Sequence, residues 1–417
     1  MEILKEAQKF ASVVCQADET RFLVNGSSCG ILSAVFSATK QGGEILMARN
    51  CHKAVYHAAE LRELKTHYLY PEFLSEGIMG EITVEMVEEA FMEHPEVKTL
   101  IFTSPTYEGV VSDVKAIVKA AHEKGVTVIV DETHGAHFLK ESGFSKSAIR
   151  CGADVVIQGT QKTLPVLTQT ALLHMNKDYK YREKLRKYLT MFQTSNSSHV
   201  LIDGIDTVMH WYMEEGRECY KKYTTDLKKL RNALNAKLVY LQLITPETVF
   251  EYDSSKVLIS TKNSNISGEE LHKKLLKKYD IQAEMVSADY VLFITSVADQ
   301  EEFYRRFLDA LIEIDGTLEE NKELGSSKED LGRRKSLMRI SEAIEKKKKA
   351  LPLMESMGEI SASYVSIYPP GIPLLTPGEK ISERCVRILQ FYLDEGLEVC
   401  GLTKEREIEI VWEEFFT

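Results

Sequence analysis

Short apolar, β-branched runs recur along the first half of the chain, with helix-length amphipathic segments between them. Ile3, Leu4, Ala7, Phe10, Ala11 and Val14 fall at helical spacing and open the chain on a helix. Strands are then expected at 22–24, 44–47, 99–103, 126–130 and 153–157, and helices at 31–38, 54–64, 84–93 and 114–124. That alternation predicts an α/β fold with a mainly parallel sheet covered by helices on both faces. Ligands of such sheets bind in the crevice outside the carboxyl ends of the strands. Residues just past those ends are therefore the first candidates for chemistry.

Two strand ends carry groups that belong together. The run 126–130 ends on Asp131 and is followed by Glu132-Thr133-His134. The run 153–157 is followed by Gly159-Thr160-Gln161-Lys162, which places one lysine at the mouth of the sheet. Most lysines are solvated, and a surface lysine in a loop is the ordinary reading of Lys162 alone. The neighbouring carboxylate changes that, because an amine that traps an aldehyde and an Asp beside a pyridinium nitrogen are what pyridoxal phosphate requires of a protein.

Three further turns follow strands. Asn25-Gly26-Ser27-Ser28-Cys29-Gly30 leads into a helix, where free N–H groups and the helix dipole favour an anion, although a serine there can simply cap. Arg49-Asn50-Cys51-His52-Lys53 opens the next helix, and a histidine in that place usually bonds backbone. Ser104-Pro105-Thr106-Tyr107-Glu108-Gly109 is read equally as a βα turn or as a site loop.

Taken together, DETHGAHF, GADVVIQGTQKTLPVLTQTALLH, RNCHK, SPTY and the later YPPGIP and PGE resemble the signatures of the ornithine/lysine/arginine decarboxylases. These are pyridoxal 5'-phosphate enzymes of the aspartate-aminotransferase fold, fold type I. The resemblance implies that Lys162 holds the cofactor covalently and that Asp131 pairs with its ring nitrogen. It further implies that His52 stacks on the ring, that Ser27, Ser28 and Thr160 bind the phosphate, and that His134 lies near the cofactor hydroxyl and the substrate. Tyr107 is implied at the substrate rim. Glu379, after the Pro377-Gly378 turn, is a candidate for the substrate's far cation, with a helix-start glutamate as the alternative. Decarboxylation of arginine, lysine or ornithine is the implied reaction, and a homodimer or higher homo-oligomer the implied assembly.

The sequence departs from the family pattern in places. Gly159 and Gln161 stand where Ser-Thr-His-Lys is usual, Thr133 replaces an alanine, and 194–199, with Ser197 and His199, replaces a TSSPSY-like run. The family's amino-terminal arm has no counterpart before the first helix. An aminotransferase or other lyase on the same fold, and a non-catalytic relative acting as a binding or regulatory subunit, therefore stay open beside the decarboxylase.

The second half organises differently. Residues 179–236 read as long helices, and strands at 256–260 and 290–295 enclose a helix at 268–278, with another at 300–314. The stretch 315–350 is charged with periodic Leu and Ile, as in a solvated helical connector. Residues 368–373 and 377–379 form a proline- and glycine-fixed loop. This divides the chain into a cofactor-binding major domain, 1–244, and a smaller α/β carboxyl-terminal domain, 245–417.

With 417 residues, 44% of them hydrophobic, the chain can bury two sizeable cores. A net charge of -11 argues against nucleic acid or an anionic membrane and suits a cationic substrate. The seven cysteines form no CxxC pair and no alternation with histidine, so neither a metal site nor a disulfide framework is expected. No apolar run is long enough to span a bilayer and the first residues lack a signal-peptide layout, so a cytoplasmic protein is expected.

Overall fold

Helix α1 (Glu2–Cys15) turns Ala11, Val14 and Cys15 inward and leads into strand β1 (Glu19–Leu23). The computed structural model describes residues 2–320, 333–367, 371–394, 396 and 398–412. Next come α2 (Gly26–Ala38), β2 (Glu44–Ala48), α3 (Lys53–Leu61), β3 (Lys65–Leu69), α4 (Val84–Glu93) and β4 (Thr99–Thr103). A short strand β5 (Val110–Val111) precedes α5 (Val114–Glu123) and β6 (Thr127–Asp131). The pattern closes with β7 (Val155–Gln158), the one-turn helix α6 (Thr160–Thr163) and β8 (Ala171–Met175).

The seven long strands form one sheet in the order β1-β8-β7-β6-β4-β2-β3. β7, β6, β4, β2 and β3 are mutually parallel, and β8 and then β1 attach antiparallel at one side. The expected mainly parallel sheet is therefore present. Its central strands are buried over all but an end residue of β4 and of β6, which accounts for their apolar runs. Register sets Thr103, Asp131 and Ile157 side by side at the carboxyl edge. The groups that follow β6 and β7 thus share one rim.

Helices α7 (Arg182–Phe192), α8 (His199–Trp211) and α9 (Arg217–Lys237) then lead away from the sheet. A second sheet follows, built from β9 (Gln242–Ile244), β11 (Lys256–Ser260), β12 (Met285–Val286) and β13 (Tyr290–Ile294), all antiparallel. The two-residue strand β10 (Glu251–Tyr252) reaches back to pair with β5 of the large unit. Helices α10 (Gly268–Tyr279) and α11 (Glu301–Asp315) cover the small sheet, and its core merges with α1, α8 and α9. A boundary at 244/245 falls at the end of β9, whose pairing puts it in the small sheet.

The connector expected at 315–350 is largely not helical where it is described. Residues 321–332 lie outside the described residues. Residues 333–339 are non-helical, α12 covers only Ile340–Glu345, and β14 (Lys348–Pro352) follows directly. Two buried anchors explain the difference: Ile340 joins the core of the large unit, and Arg334 is buried against Glu379. Beyond this lie β15 (Val365–Ile367), β16 (Pro373–Leu375), α13 (Glu383–Asp394), β17 (Val399–Cys400) and β18 (Glu407–Val411), with a core of their own around Val365, Leu375, Val386 and Ile408. Tyr368-Pro369-Pro370 of the expected rigid loop lie outside the described residues. The loop's described remainder, from Gly371, contains β16.

Candidate active site

Lys162 sits in the single turn α6, directly beyond β7. Its Nζ is 2.9 Å from Glu284 Oε1 and 5.9 Å from the centre of the Tyr107 ring. The Tyr107 hydroxyl donates to the same Glu284 oxygen at 2.7 Å. Glu284 comes from the small unit, just before β12, so the two units meet over the lysine.

His134 forms the floor of this cluster. Its ring centre lies 4.4 Å from that of Tyr107, and its buried Nδ1 has no hydrogen-bond partner among the described residues. Burial, followed by the charges of Lys256, Lys162 and His52, brings its titration far below the ordinary value, so the ring is neutral. His52 caps α3, its Nδ1 accepting the Ala54 N–H at 3.2 Å. Burial, then the charges of Lys53, His57 and Lys162, lowers its titration to about 4. Both histidines feel Lys162, and both stay uncharged at neutral pH.

Asp131 ends β6 and is only 2% exposed. Thr133 donates to its Oδ1 twice, from the backbone N–H at 3.1 Å and from Oγ1 at 2.5 Å. Burial raises the carboxyl's titration and these two bonds oppose the rise. Burial and the Asp131 charge together push the Cys51 thiol, next in sequence to His52, up to about 12. The acid therefore adjoins the His52 turn.

Ser27 and Ser28 lie in the first turn of α2, which begins at Gly26 rather than at 31 as expected. The earlier start puts both serines among the free N–H groups of the helix end. Gly26, at φ 73°, opens onto empty space and gives its N–H to the Gln169 carbonyl at 2.8 Å. The Gln169 N–H in turn donates to Gln161 Oε1. Gln161 thus ties the Lys162 turn to the turn at the start of α2. Asn25 Oδ1 accepts from the Thr194 N–H at 3.4 Å, which brings the start of the 194–199 run to this same turn.

Two expected contacts are corrected. Thr160 is fully buried and donates its hydroxyl to Thr170 Oγ1 at 2.7 Å, closing the 160–170 loop instead of facing a phosphate. Glu379 is also fully buried. Its oxygens take Arg49 Nε at 3.3 Å, Arg49 Nη2 at 3.1 Å, Arg334 Nη1 at 3.3 Å and the Thr376 N–H at 2.9 Å. Burial pushes the carboxyl up, and the charges of Arg49 and Arg334 overcome that and hold it below its ordinary value. Both oxygens are occupied, so Glu379 does not present itself to a substrate cation. Arg49 also donates to the carbonyls of Pro373 at 2.5 Å and Leu374 at 3.2 Å, and Lys53 N–H to Gly371 at 3.2 Å. The carboxyl-terminal unit thereby grips the turn that carries His52.

Sequence reasoning missed a second buttress. Lys256, wholly buried, contacts Asp253 Oδ2 at 2.6 Å, Ser255 Oγ at 3.1 Å and the His134 carbonyl at 3.2 Å. His137 Nε2 meets Asp253 Oδ1 at 3.2 Å from the other side. This network joins the small sheet to the loop after β6.

Comparison with known proteins agrees with the geometry. The model of the Orn/Lys/Arg decarboxylase major domain matches residues 2–263, and that of the Orn/Lys/Arg decarboxylase C-terminal domain matches residues 336–405. The chain belongs to the Orn/Lys/Arg decarboxylase family. Family members decarboxylate basic amino acids, and that is the activity of this chain. It is 31% identical to an arginine decarboxylase of Bacillus subtilis over 96% of this chain and 83% of the relative. An arginine decarboxylase of Halalkalibacterium halodurans is 30% identical, with coverage of 96% and 83%. The fold is shared with the lysine decarboxylase of Francisella novicida, at a TM-score of 0.82 and 19% identity, covering 98% of this chain and 72% of that one. It extends to an alanine–glyoxylate aminotransferase of a Nostoc species, at a TM-score of 0.62 and 14% identity, over 75% of this chain and 86% of that one. The fold-type I reading holds for this member of the decarboxylase family. Among the described residues no helix is long and apolar enough to cross a membrane, and no cluster of His, Cys, Asp and Glu could hold a metal ion.

Proposed function

We propose that the protein removes the carboxylate of arginine, with pyridoxal 5'-phosphate held by Lys162. The convergence of Lys162, Glu284, Tyr107 and His134 on one rim carries this reading. The site fits the cofactor on several counts. It offers a partly exposed lysine amine, a buried carboxylate at the strand edge, a histidine nitrogen without a partner among the described residues and an unfilled glycine turn at a helix start. The bound cofactor would supply an electron sink for the pair left at Cα when CO₂ departs.

The chain's own groups do the rest. Asp131 would keep the ring nitrogen protonated by an ion pair, and a neutral, flat His52 would lie against the ring. Ser27, Ser28 and the α2 N–H groups would hold the phosphate. His134 would stand where a proton can be delivered to Cα. Glu284, oriented by the Tyr107 hydroxyl, replaces Glu379 as the carboxylate for the substrate's side-chain cation. In this structure Lys162 itself supplies a cation to that carboxylate. The arginine preference is supported by the arginine decarboxylases among the relatives.

The test is CO₂ release and amine formation from arginine, lysine and ornithine by the protein with pyridoxal 5'-phosphate. Arginine should react fastest, and Glu284→Gln should narrow the preference for it over the neutral analogue citrulline. No CO₂ from any of the three would refute the reading. An undiminished preference in the variant would remove Glu284 from substrate recognition.

A further inference from the structure

Thr133 does two things at once, and both bear on Asp131. Its hydroxyl and N–H fix Oδ1 of the carboxylate, at 2.5 and 3.1 Å, while Oδ2 carries no hydrogen bond among the described residues. One oxygen is therefore tethered by two bonds and the other by none among the described residues. The Thr133 methyl lies against the position that a Cβ at Gly159 would take. A Cβ at 159 would lie 2.7 Å from Thr133 Cγ2 and 3.0 Å from the Thr133 carbonyl oxygen, which also accepts the Gly159 N–H at 3.2 Å. Side-chain carbons do not approach so closely, so any larger residue at 159 must displace Thr133. Displacing Thr133 would rotate the carboxylate that it tethers.

We propose that Thr133 is a positioning residue for Asp131, and that Thr133 and Gly159 form one coupled unit between the strand that carries the acid and the turn that carries Lys162. Gly159 directly precedes the Lys162 turn, so the same contact sets the acid and the amine relative to each other. The tether holds the Asp131 carboxylate in one orientation through Oδ1. This inference rests on the reading of Asp131 as the partner of the cofactor's ring nitrogen.

Two conservative variants separate the hydroxyl from the methyl. Thr133→Val keeps the shape and loses the tether, whereas Thr133→Ser keeps the tether and frees the space. In titrations with pyridoxal 5'-phosphate followed by visible absorbance, the half-saturating concentration should rise about tenfold for Thr133→Val, the effect of losing one hydrogen bond to a charged group. Thr133→Ser should bind like the wild type. In thermal unfolding of the cofactor-free protein, Gly159→Ala should lower the midpoint strongly in the wild-type background and much less beside Thr133→Ser. Unchanged cofactor binding by Thr133→Val overturns the positioning role. An equal cost of Gly159→Ala in both backgrounds overturns the coupling. If the wild type takes up no cofactor, the Asp131 half falls together with the proposed function, and the unfolding measurement alone then decides the coupling.

Discussion

Replacing Glu379 by Gln separates two readings of that residue. The substitution keeps the shape and the acceptor for the Thr376 N–H but removes the carboxylate that bridges Arg49 and Arg334. Breaking a buried ion pair by removing one partner costs roughly 3–5 kcal/mol, because the other charge is left uncompensated. Arg49 retains the Tyr56 hydroxyl at 2.8 Å and the Pro373 and Leu374 carbonyls, so the low end, about 3 kcal/mol, is expected. That is about a hundredfold in the folded-to-unfolded ratio. The folded protein holds the Glu379 carboxyl below its ordinary 4.5, so its contribution is present above that pH and is lost as pH falls through the folded value. The variant should therefore lose stability at neutral pH and lose less on acidification than the wild type does. Urea unfolding at neutral and acid pH reads this, and steady-state rates on arginine, lysine and ornithine should keep their order. A weaker apparent affinity for one basic amino acid, with stability unchanged, would refute the clamp and return Glu379 to the substrate.

Two further outcomes follow from buried groups. Lys256→Met should destabilise by roughly 3–5 kcal/mol, since it leaves the buried Asp253 carboxylate without its lysine, whereas Asp253→Asn/Lys256→Met should cost less than the sum of the single changes; additive costs in urea unfolding would deny the pair. His174 is enclosed between Thr20 at 2.9 Å and Gln158 at 3.0 Å, and burial brings its titration from 6.5 down to about 3. The unfolded chain takes up that proton first, so this stabilisation is lost as pH falls through the interval, at about 1.4 kcal/mol per pH unit. His174→Gln should flatten the loss of stability below pH 6.5, and an unchanged slope would assign the acid sensitivity elsewhere.

The strands β4, β6 and β7 were legible because central parallel strands are buried on both faces and read as unbroken apolar runs. Strand β3, KTHYL, escaped because it lies at the sheet edge. Lys65 there is exposed, and His67 is masked by its contact with Glu44 at 2.8 Å. β8 was hidden inside a motif, and its antiparallel pairing has no sequence signal. Lys162, His52 and His134 stand out as candidates in the sequence because each follows a strand, and Asp131 because it closes one. Glu284 follows no motif and meets Lys162 across 122 residues through the packing of the small sheet, a contact that no local pattern encodes. Glu379 and Thr160 were misread for the opposite reason: each sits in a recognisable motif, but motif membership does not reveal burial. Arg49, in the same turn as His52, is the partner that sequence alone could not assign to Glu379.

The central claim is that Lys162 is the residue that holds pyridoxal 5'-phosphate. Its most direct test is borohydride treatment of the protein incubated with the cofactor, followed by proteolysis and mass mapping of the labelled peptide. The account predicts a visible absorbance band that borohydride abolishes, one reduced adduct, on Lys162, and neither band nor adduct in Lys162→Ala. A label on another lysine, or a band that survives in Lys162→Ala, would contradict it.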